Sequence, residues 1–295
     1  MRTNRRLLPV VAAAIALLAS LPAAAGHSFL WKATGKGGPG SVVYLAGSVH
    51  MLSQDYYPLN PAVESAFKDS DLLVEEVDLN EMLAPASQMQ TLMRGMLPAG
   101  QSLEKLLSPA TLALVNKFTA GLGDASEPLK HFKPWMLAIA IEGLELQKSG
   151  FDPNLGLDKH FFDLAQSQGK TVQGLETVEY QISRFDEMGV EQQDRFLGDT
   201  LKELDTEKAS VSKLADAWKS GDAPAVEKIV LADLKSDAAM YQRLLVDRNR
   251  NWLPTLEALF SRRGHAFVVV GAAHLVGPDG LLQMLKAKGY TVEQL

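Results

Sequence analysis

The sequence contains the same short pattern twice, more than two hundred residues apart. The first copy, VYLAGSVHM, carries His50, and the second, FVVVGAAHLVG, carries His274. Each begins with an apolar run of the length that is typical of a buried strand. A glycine follows, and glycine lets the backbone turn sharply or a ligand approach closely. The repeat therefore predicts two buried strands that each end in a Gly-x-x-His segment.

Each copy continues into a predicted helix and a further strand, which lies in LLVEEVDL in the first case and YTVEQL in the second. Such units favour parallel pairing, and ligands collect at the carboxyl ends of parallel strands. We therefore predict an α/β fold whose mixed central sheet is built from two strand–Gly-x-x-His–helix–strand units at the chain ends. A glycine-rich turn at residues 35–40 predicts a hairpin. The patterns from about residue 81 to 264 predict a large, mostly helical insertion, interrupted by one strand at Thr171 to Leu175.

The first 25 residues have the features of a secretory signal peptide. Three arginines precede the apolar run Leu7 to Leu18, and small residues follow up to Ala25. The apolar run is short for a membrane span, although an N-terminal anchor stays an alternative. We predict cleavage near Ala25, one mature domain over residues 26–295, and no stable membrane span after cleavage. The expected location is the periplasm or the exterior of the cell.

The composition excludes several classes of protein. The chain has no cysteine, which excludes disulfides, thiol catalysis and zinc–thiolate sites. Its 29 basic and 35 acidic residues give a net charge of −6, and the predicted signal peptide removes only basic ones. This balance argues against nucleic acid as a partner. The sequence also lacks Gly-x-Ser-x-Gly, His-Glu-x-x-His and P-loop patterns. Nothing in it indicates the oligomeric state.

Two histidines at the carboxyl ends of strands in one sheet could converge on a single ion. Neutral imidazole is the commonest metal ligand and a ready base. The alternative is that each ring satisfies a backbone carbonyl at its strand end. Glu76 ends the strand that follows His50, and it stands next to Glu75, so the two side chains face opposite sides of the sheet. A buried carboxylate must be paired or bind a cation, whereas a solvated strand end is the alternative for Glu76.

Other polar residues have ordinary interpretations from spacing alone. Glu176 repeats the placement of a carboxylate at a strand terminus, and Asp158 lies where a helix N-cap is expected. Arg248 and Asn249 belong to a charged stretch, VDRNRNW, for which a solvated helix face is expected.

Four segments together resemble the TraB/GumN family over nearly the whole mature chain. The opening LWKATGKGGPGSVVYLAGSVHMLSQDYYPLNPAVESAFKDSDLLVEEVDL and the closing FVVVGAAHLVGPDGLLQMLKAKGYTVEQL are similar to its terminal signatures. GLDKHFFDLAQSQGKTVQGLETVEYQ and LLVDRNRNW resemble internal segments in the same order. The family is similar to the Tiki proteins, whose Gly-x-x-His histidines and an acidic residue are associated with metal-dependent peptidase activity. It resembles erythromycin esterase-like and haem-binding ChaN-like folds more remotely.

The resemblance implies a metal or catalytic set of His50, Glu76 and His274. Glu76 is selected over Glu75 because the family segment has the order apolar-apolar-Glu-Val-Asp. The resemblance also implies roles for four further polar positions, which are Asp158, Glu176, Arg248 and Asn249.

We therefore expect an exported metal-dependent hydrolase, in particular a peptidase, that acts on a peptide or another small substrate. Two imidazoles and a carboxylate suit Mn²⁺, Co²⁺ or Zn²⁺, which would activate water. Glu176 is a candidate general base or second ligand, and Arg248 a candidate stabiliser of the oxyanion. One alternative is a non-catalytic periplasmic protein that binds a metal, haem or small ligand. Another is an accessory protein for envelope or polysaccharide traffic that docks through its acidic helical insertion.

Overall fold

The fold is centred on a six-stranded mixed sheet, as predicted. The computed structural model describes residues 27–35 and 40–295, so the predicted signal peptide and the tip of the glycine-rich turn lie outside the described residues. The strand order is β4-β3-β5-β2-β1-β6. The strands are β1 (Leu30–Thr34), β2 (Val42–Ser48), β3 (Leu72–Val77), β4 (Thr171–Glu176), β5 (Ala266–Gly271) and β6 (Thr291–Gln294).

Only β1 runs against the other strands. It forms the predicted hairpin with β2 and pairs antiparallel with β6 on its other side. The pairs β2–β5, β5–β3 and β3–β4 are all parallel. The carboxyl ends of these four central strands therefore meet at one edge of the sheet, where both Gly-x-x-His segments leave it.

Strand register fixes which side chains share a face. Glu75 in β3 pairs with Val269 in β5. Because Phe267 lies two residues before Val269, Glu75 and Phe267 are on the same face of the sheet. Phe267 packs against Phe161, which places this face under the helix that carries Phe161. Glu76 points to the opposite face. Glu75 and Glu76 therefore point to opposite faces of the sheet, as expected for adjacent residues of a strand. Each faces a different layer of helices.

Helices cover both faces of the sheet and form the predicted insertion. Polar side chains cap several of these helices, for example Asn60, which accepts a hydrogen bond from the Ala62 N–H at the start of the first helix. The helices are α1 (Pro61–Asp69), α2 (Leu79–Met82), α3 (Pro85–Gly95), α4 (Leu103–Leu106), α5 (Pro109–Ala120), α6 (Pro134–Lys148), α7 (Leu157–Gln168), α8 (Val178–Asp186), α9 (Val190–Lys219), α10 (Ala223–Leu234), α11 (Ala238–Tyr241), α12 (Asp247–Leu259), α13 (Ala272–Leu275) and α14 (Leu281–Ala287).

The core has two main parts. The larger one surrounds the sheet, and β3 and β5 are buried along their whole length, which explains the continuous apolar sequence of β5 and the apolar start of β3 before Glu75 and Glu76. A second cluster lies within the insertion, where α5, α6 and α9 pack through residues such as Val115, Leu137 and Leu197. The long helix α9 reaches both, because Trp218 near its end packs into the sheet core. Among the described residues, no helix is both long and apolar enough to cross a bilayer.

Candidate functional site

His50 is held at the sheet edge by the start of α7. Its Nδ1 lies 2.9 Å from Oδ2 of Asp158, and the Ser48 hydroxyl donates to the same oxygen. The Asp158 carboxylate raises the pKa of His50 to about 9. Asp158 therefore does not act as the N-cap suggested by its position, since Gly156 occupies that place. A Cβ on Gly156 would collide with the His50 carbonyl, so this close approach requires glycine.

His274 lies in a different setting from its counterpart. It belongs to the one-turn helix α13, and its side chain is 7% exposed, whereas the His50 side chain is 64% exposed. Its Nδ1 lies 2.7 Å from Oδ1 of Asn249, while the Asn249 amide nitrogen donates to the carbonyls of His274 and Asp279. Because Oδ1 can only accept, Nδ1 of His274 carries the hydrogen, and the unprotonated Nε2 is left as the acceptor for the Arg248 guanidinium 3.1 Å away. Burial lowers the pKa of this imidazole to about 3.

Glu76 is the buried acid between these histidines. Its Oε1 accepts from the Gly271 N–H at 2.7 Å, and its Oε2 accepts from Arg248 at 2.6 Å and from Gln181 at 3.2 Å. Burial opposes ionisation, but the charge of Arg248, followed by the two imidazoles, holds the pKa of Glu76 well below its usual range. Glu76 is therefore a carboxylate at neutral pH.

Arg248 links Glu76, His274 and Glu176 into one network. Its guanidinium donates to Glu176 at 2.7 Å and lies 3.1 Å from Nε2 of His274. Glu176 also accepts from the Trp252 indole at 2.8 Å. The solvated face predicted for Arg248 and Asn249 from spacing alone is wrong, because the two residues are 7% and 0% exposed. Both turn inward from α12 toward the strand ends.

The two histidines and the acid surround the backbone at Gly271. A Cβ placed on this glycine would lie 3.1 Å from Oε1 of Glu76, 3.5 Å from Nε2 of His50 and 3.6 Å from Cδ2 of His274. Nε2 of His274 is 4.0 Å from Oε1 of Glu76. The structure thus brings together the three side chains that the sequence pattern and the family resemblance had singled out.

This donor set suits a divalent cation. Each ring has its Nδ1 bound to an outer oxygen, from Asp158 or Asn249, which is the usual support for a histidine that binds metal through Nε2. The missing side chain of Gly271 leaves a cradle between the three groups. Within the described residues, no three His, Cys, Asp or Glu side chains are already spaced as a metal site. Arg248 contacts two of the candidate ligands instead, namely His274 and Glu76.

The structure also reveals supporting residues that the sequence did not indicate. The Trp218 indole donates to the Gly47 carbonyl at 2.6 Å and fixes the bend before His50. Gln181 binds Glu76 from α8. Neither carries a local pattern that predicts the contact. Glu75 points away from the site; burial raises its pKa to about 9, and its Oε1 has no hydrogen-bond partner among the described residues.

Comparisons with known protein sequences match most of the length of this chain. The sequence model of the TraB/PrgY/gumN family matches residues 29–294. The uncharacterized protein YbaP of Escherichia coli (strain K12) is 28% identical over 265 residues, which cover 88% of this chain and 94% of YbaP. An uncharacterized protein of Treponema pallidum (strain Nichols) is 20% identical over 264 residues, covering 85% of this chain and 79% of the relative. No solved structure matches the chain significantly.

Proposed function

Because this chain belongs to the TraB/PrgY/gumN family, we propose that it is a metal-dependent hydrolase whose substrate is a peptide or another small molecule with a scissile carbonyl. The observation that carries this proposal is the convergence of His50, Glu76 and His274 around Gly271. These three residues would hold a divalent cation, and Mn²⁺, Co²⁺ and Zn²⁺ all accept such ligands. A cation bound there would supply Lewis acidity toward a carbonyl and would make water more acidic.

The remaining polar residues act through position and charge. Asp158 orients His50 so that its Nε2 faces the pocket while the ring stays open to solvent. Asn249 fixes the tautomer of His274. Arg248 places a permanent positive charge beside the reacting region, where it can stabilise negative charge that develops on a carbonyl oxygen.

Glu176 fits a positioning role better than that of a general base. Its two carboxylate oxygens accept hydrogen bonds from Arg248 and Trp252, and its side chain is 4% exposed. These contacts leave it little access to a water molecule in the pocket. Its function in this proposal is to hold the guanidinium in place.

We also propose that the protein is exported to the periplasm or beyond. The support is the charged start, apolar run and small residues of the first 25 positions. The absence of cysteine is compatible with an oxidising compartment, because no thiol is there to be oxidised.

Metal binding and peptide hydrolysis test the proposed function together. Protein freed of metal should bind Mn²⁺, Co²⁺ or Zn²⁺ in isothermal titration and should then cleave members of a quenched fluorescent peptide library. His50→Ala and His274→Ala should abolish both properties. His131→Ala, which removes an exposed ring outside the site, should change neither. Circular dichroism checks that each variant is folded.

Two outcomes would contradict the proposal. Metal binding that survives both site substitutions would place the cation elsewhere. Metal binding that depends on both histidines, without cleavage of any peptide or ester offered, would indicate a binding protein and not an enzyme. Since His50 is exposed, its substitution should leave the fold intact even if that of His274 does not.

A further inference from the structure

The Arg248 guanidinium uses all of its N–H groups inside the site. An arginine side chain has five N–H donors and no acceptor. Its Nε donates to Glu176 at 3.1 Å, while its Nη2 donates to Glu176 at 2.7 Å and to Glu76 at 2.6 Å. Its Nη1 donates to the Leu244 carbonyl at 3.3 Å and lies 3.1 Å from Nε2 of His274. Each of the five N–H groups therefore has an acceptor.

The contact with His274 engages the nitrogen that a metal would need. Nδ1 of this ring carries its hydrogen, because it lies 2.7 Å from Oδ1 of Asn249, which can only accept. Nε2 then holds the lone pair of the imidazole that is available for bonding. One lone pair cannot accept a hydrogen bond from Arg248 and bind a cation at the same time. The guanidinium and a metal are therefore competitors for Nε2 of His274.

Glu76 shares this competition. Its Oε2 accepts from Arg248 at 2.6 Å, and its Oε1 accepts from the Gly271 N–H at 2.7 Å. The Arg248 side chain is 9% exposed, so little solvent screens its charge from a cation that approaches the same carboxylate. Arg248 thus occupies two of the three candidate metal ligands and also opposes a second positive charge beside them.

The guanidinium has supports that do not involve His274. Glu176 accepts from both its Nε and its Nη2, and the carbon of the guanidinium lies 4.7 Å from the centre of the Trp252 ring. Its Nη1 also donates to the Leu244 carbonyl, which belongs to a π-helical turn, Gln242–Val246. Such turns are frequent at functional sites. Loss of the histidine contact would therefore free one N–H of Nη1 while these supports hold the group in place.

We propose that Arg248 regulates the site by competing with the metal for Nε2 of His274. A cation that binds this nitrogen displaces the guanidinium from it, and the freed Nη1 hydrogen becomes a donor for the carbonyl oxygen of the substrate. Only hydrogen bonds change in this step. The proposal rests on the metal-dependent function proposed above and adds two properties to it. The metal binds more weakly than the ligands alone would allow, and the oxyanion donor is released only when a metal has entered.

The zinc affinity of Arg248→Lys tests the competition. Lysine keeps the positive charge but cannot reproduce the forked contacts of arginine. In isothermal titration at pH 7, Zn²⁺ should bind Arg248→Lys about tenfold more tightly than the wild type, the factor for one lost hydrogen bond to a charged group. The control is Arg262→Lys, since Arg262 makes a forked pair with Asp71 before the start of β3, at 2.9 and 2.6 Å. This control should leave the zinc affinity unchanged, and circular dichroism checks that each variant is folded.

A second measurement uses the wild type, so it does not depend on the folding of a variant. In ¹⁵N NMR during a zinc titration, the signals of His274 Nε2 and of the Arg248 Nη atoms should change with the same midpoint. Zinc binding to Arg248→Lys that is no tighter than to the wild type would overturn the proposal. Arg248 signals that stay unchanged while zinc binds His274 would overturn it as well.

Failure of the proposed function gives a different result. Zinc that does not bind, or that binds independently of His50 and His274, contradicts the metal site itself and removes the competition with it. Zinc binding that requires both histidines, without a response of Arg248, leaves the metal site intact and overturns only the regulatory proposal.

Discussion

Removal of the Arg248 guanidinium should destabilise the protein strongly. In Arg248→Met, the side chains of Glu76 and Glu176, which are 9% and 4% exposed, lose their shared cation. Removing one partner of a buried ion pair costs about 3–5 kcal/mol, because a charge is left uncompensated. At about 2–4 °C per kcal/mol for a domain near this size, the midpoint of thermal unfolding should fall by about 10 °C. Differential scanning calorimetry at pH 7 measures the change.

The stability lost in Arg248→Met should depend on pH. In the wild type, Arg248 keeps the pKa of Glu76 far below its usual range, so this contribution to stability is present above about pH 4.5 and is lost only in strong acid. In the variant both carboxyls should have raised pKa values, and folding should then become less favourable as the pH rises above about 4.5. The stability gap between the two proteins should therefore widen from pH 5 to pH 8.

The matched control is Arg248→Lys, which keeps the charge but cannot reproduce the forked contacts with Glu176 and should give an intermediate loss. An unfolding midpoint of Arg248→Met equal to that of the wild type at pH 7 would refute the reasoning. A gap that does not change between pH 5 and pH 8 would show that lost packing, and not charge, explains the effect.

Three further predictions follow from individual contacts. Trp218→Phe leaves the Gly47 carbonyl without its donor and should cost about 1–3 kcal/mol in urea unfolding; an unchanged urea midpoint would contradict this. Glu75→Leu should stabilise the protein at pH 8, with an advantage that shrinks toward pH 5, because burial raises the pKa of Glu75 to about 9 and the folded protein retains a proton that the unfolded chain releases. A Glu75→Leu variant less stable than the wild type at pH 8 would show that Glu75 does not destabilise the folded protein. Asp158→Asn should lower the pKa of His50 from about 9 toward its ordinary value in an NMR titration, and a pKa that stays near 9 would assign the shift to another group.

The strands and the shared edge could be predicted because their signals are local. Apolar runs that end in glycine marked β2 and β5, and the strand–helix–strand order indicated that the central strands run parallel. Parallel strands end at one edge, so His50 and His274 were expected to be neighbours. The alternation of side chains along β3 also separated Glu75 from Glu76 correctly.

The support around the histidines could not be predicted, because it comes from distant parts of the chain. Arg248 lies 172 residues from Glu76 and 72 residues from Glu176, and without those carboxylates its charged stretch is typical of a solvated helix. The different exposure of the two histidines has a similar origin. The motif is the same in both places, but His274 is packed against Trp252 of α12, whereas the largely exposed ring of His50 is held by Asp158 in the first turn of α7.

A crystal of the protein soaked in Mn²⁺ and measured at the manganese absorption edge tests the central claim most directly. We predict one strong anomalous peak in the cradle beside Gly271, in contact with His50, His274 and the Glu76 carboxylate. A saturating soak that leaves this cradle without a peak, or that places the manganese on ligands elsewhere in the molecule, would contradict it.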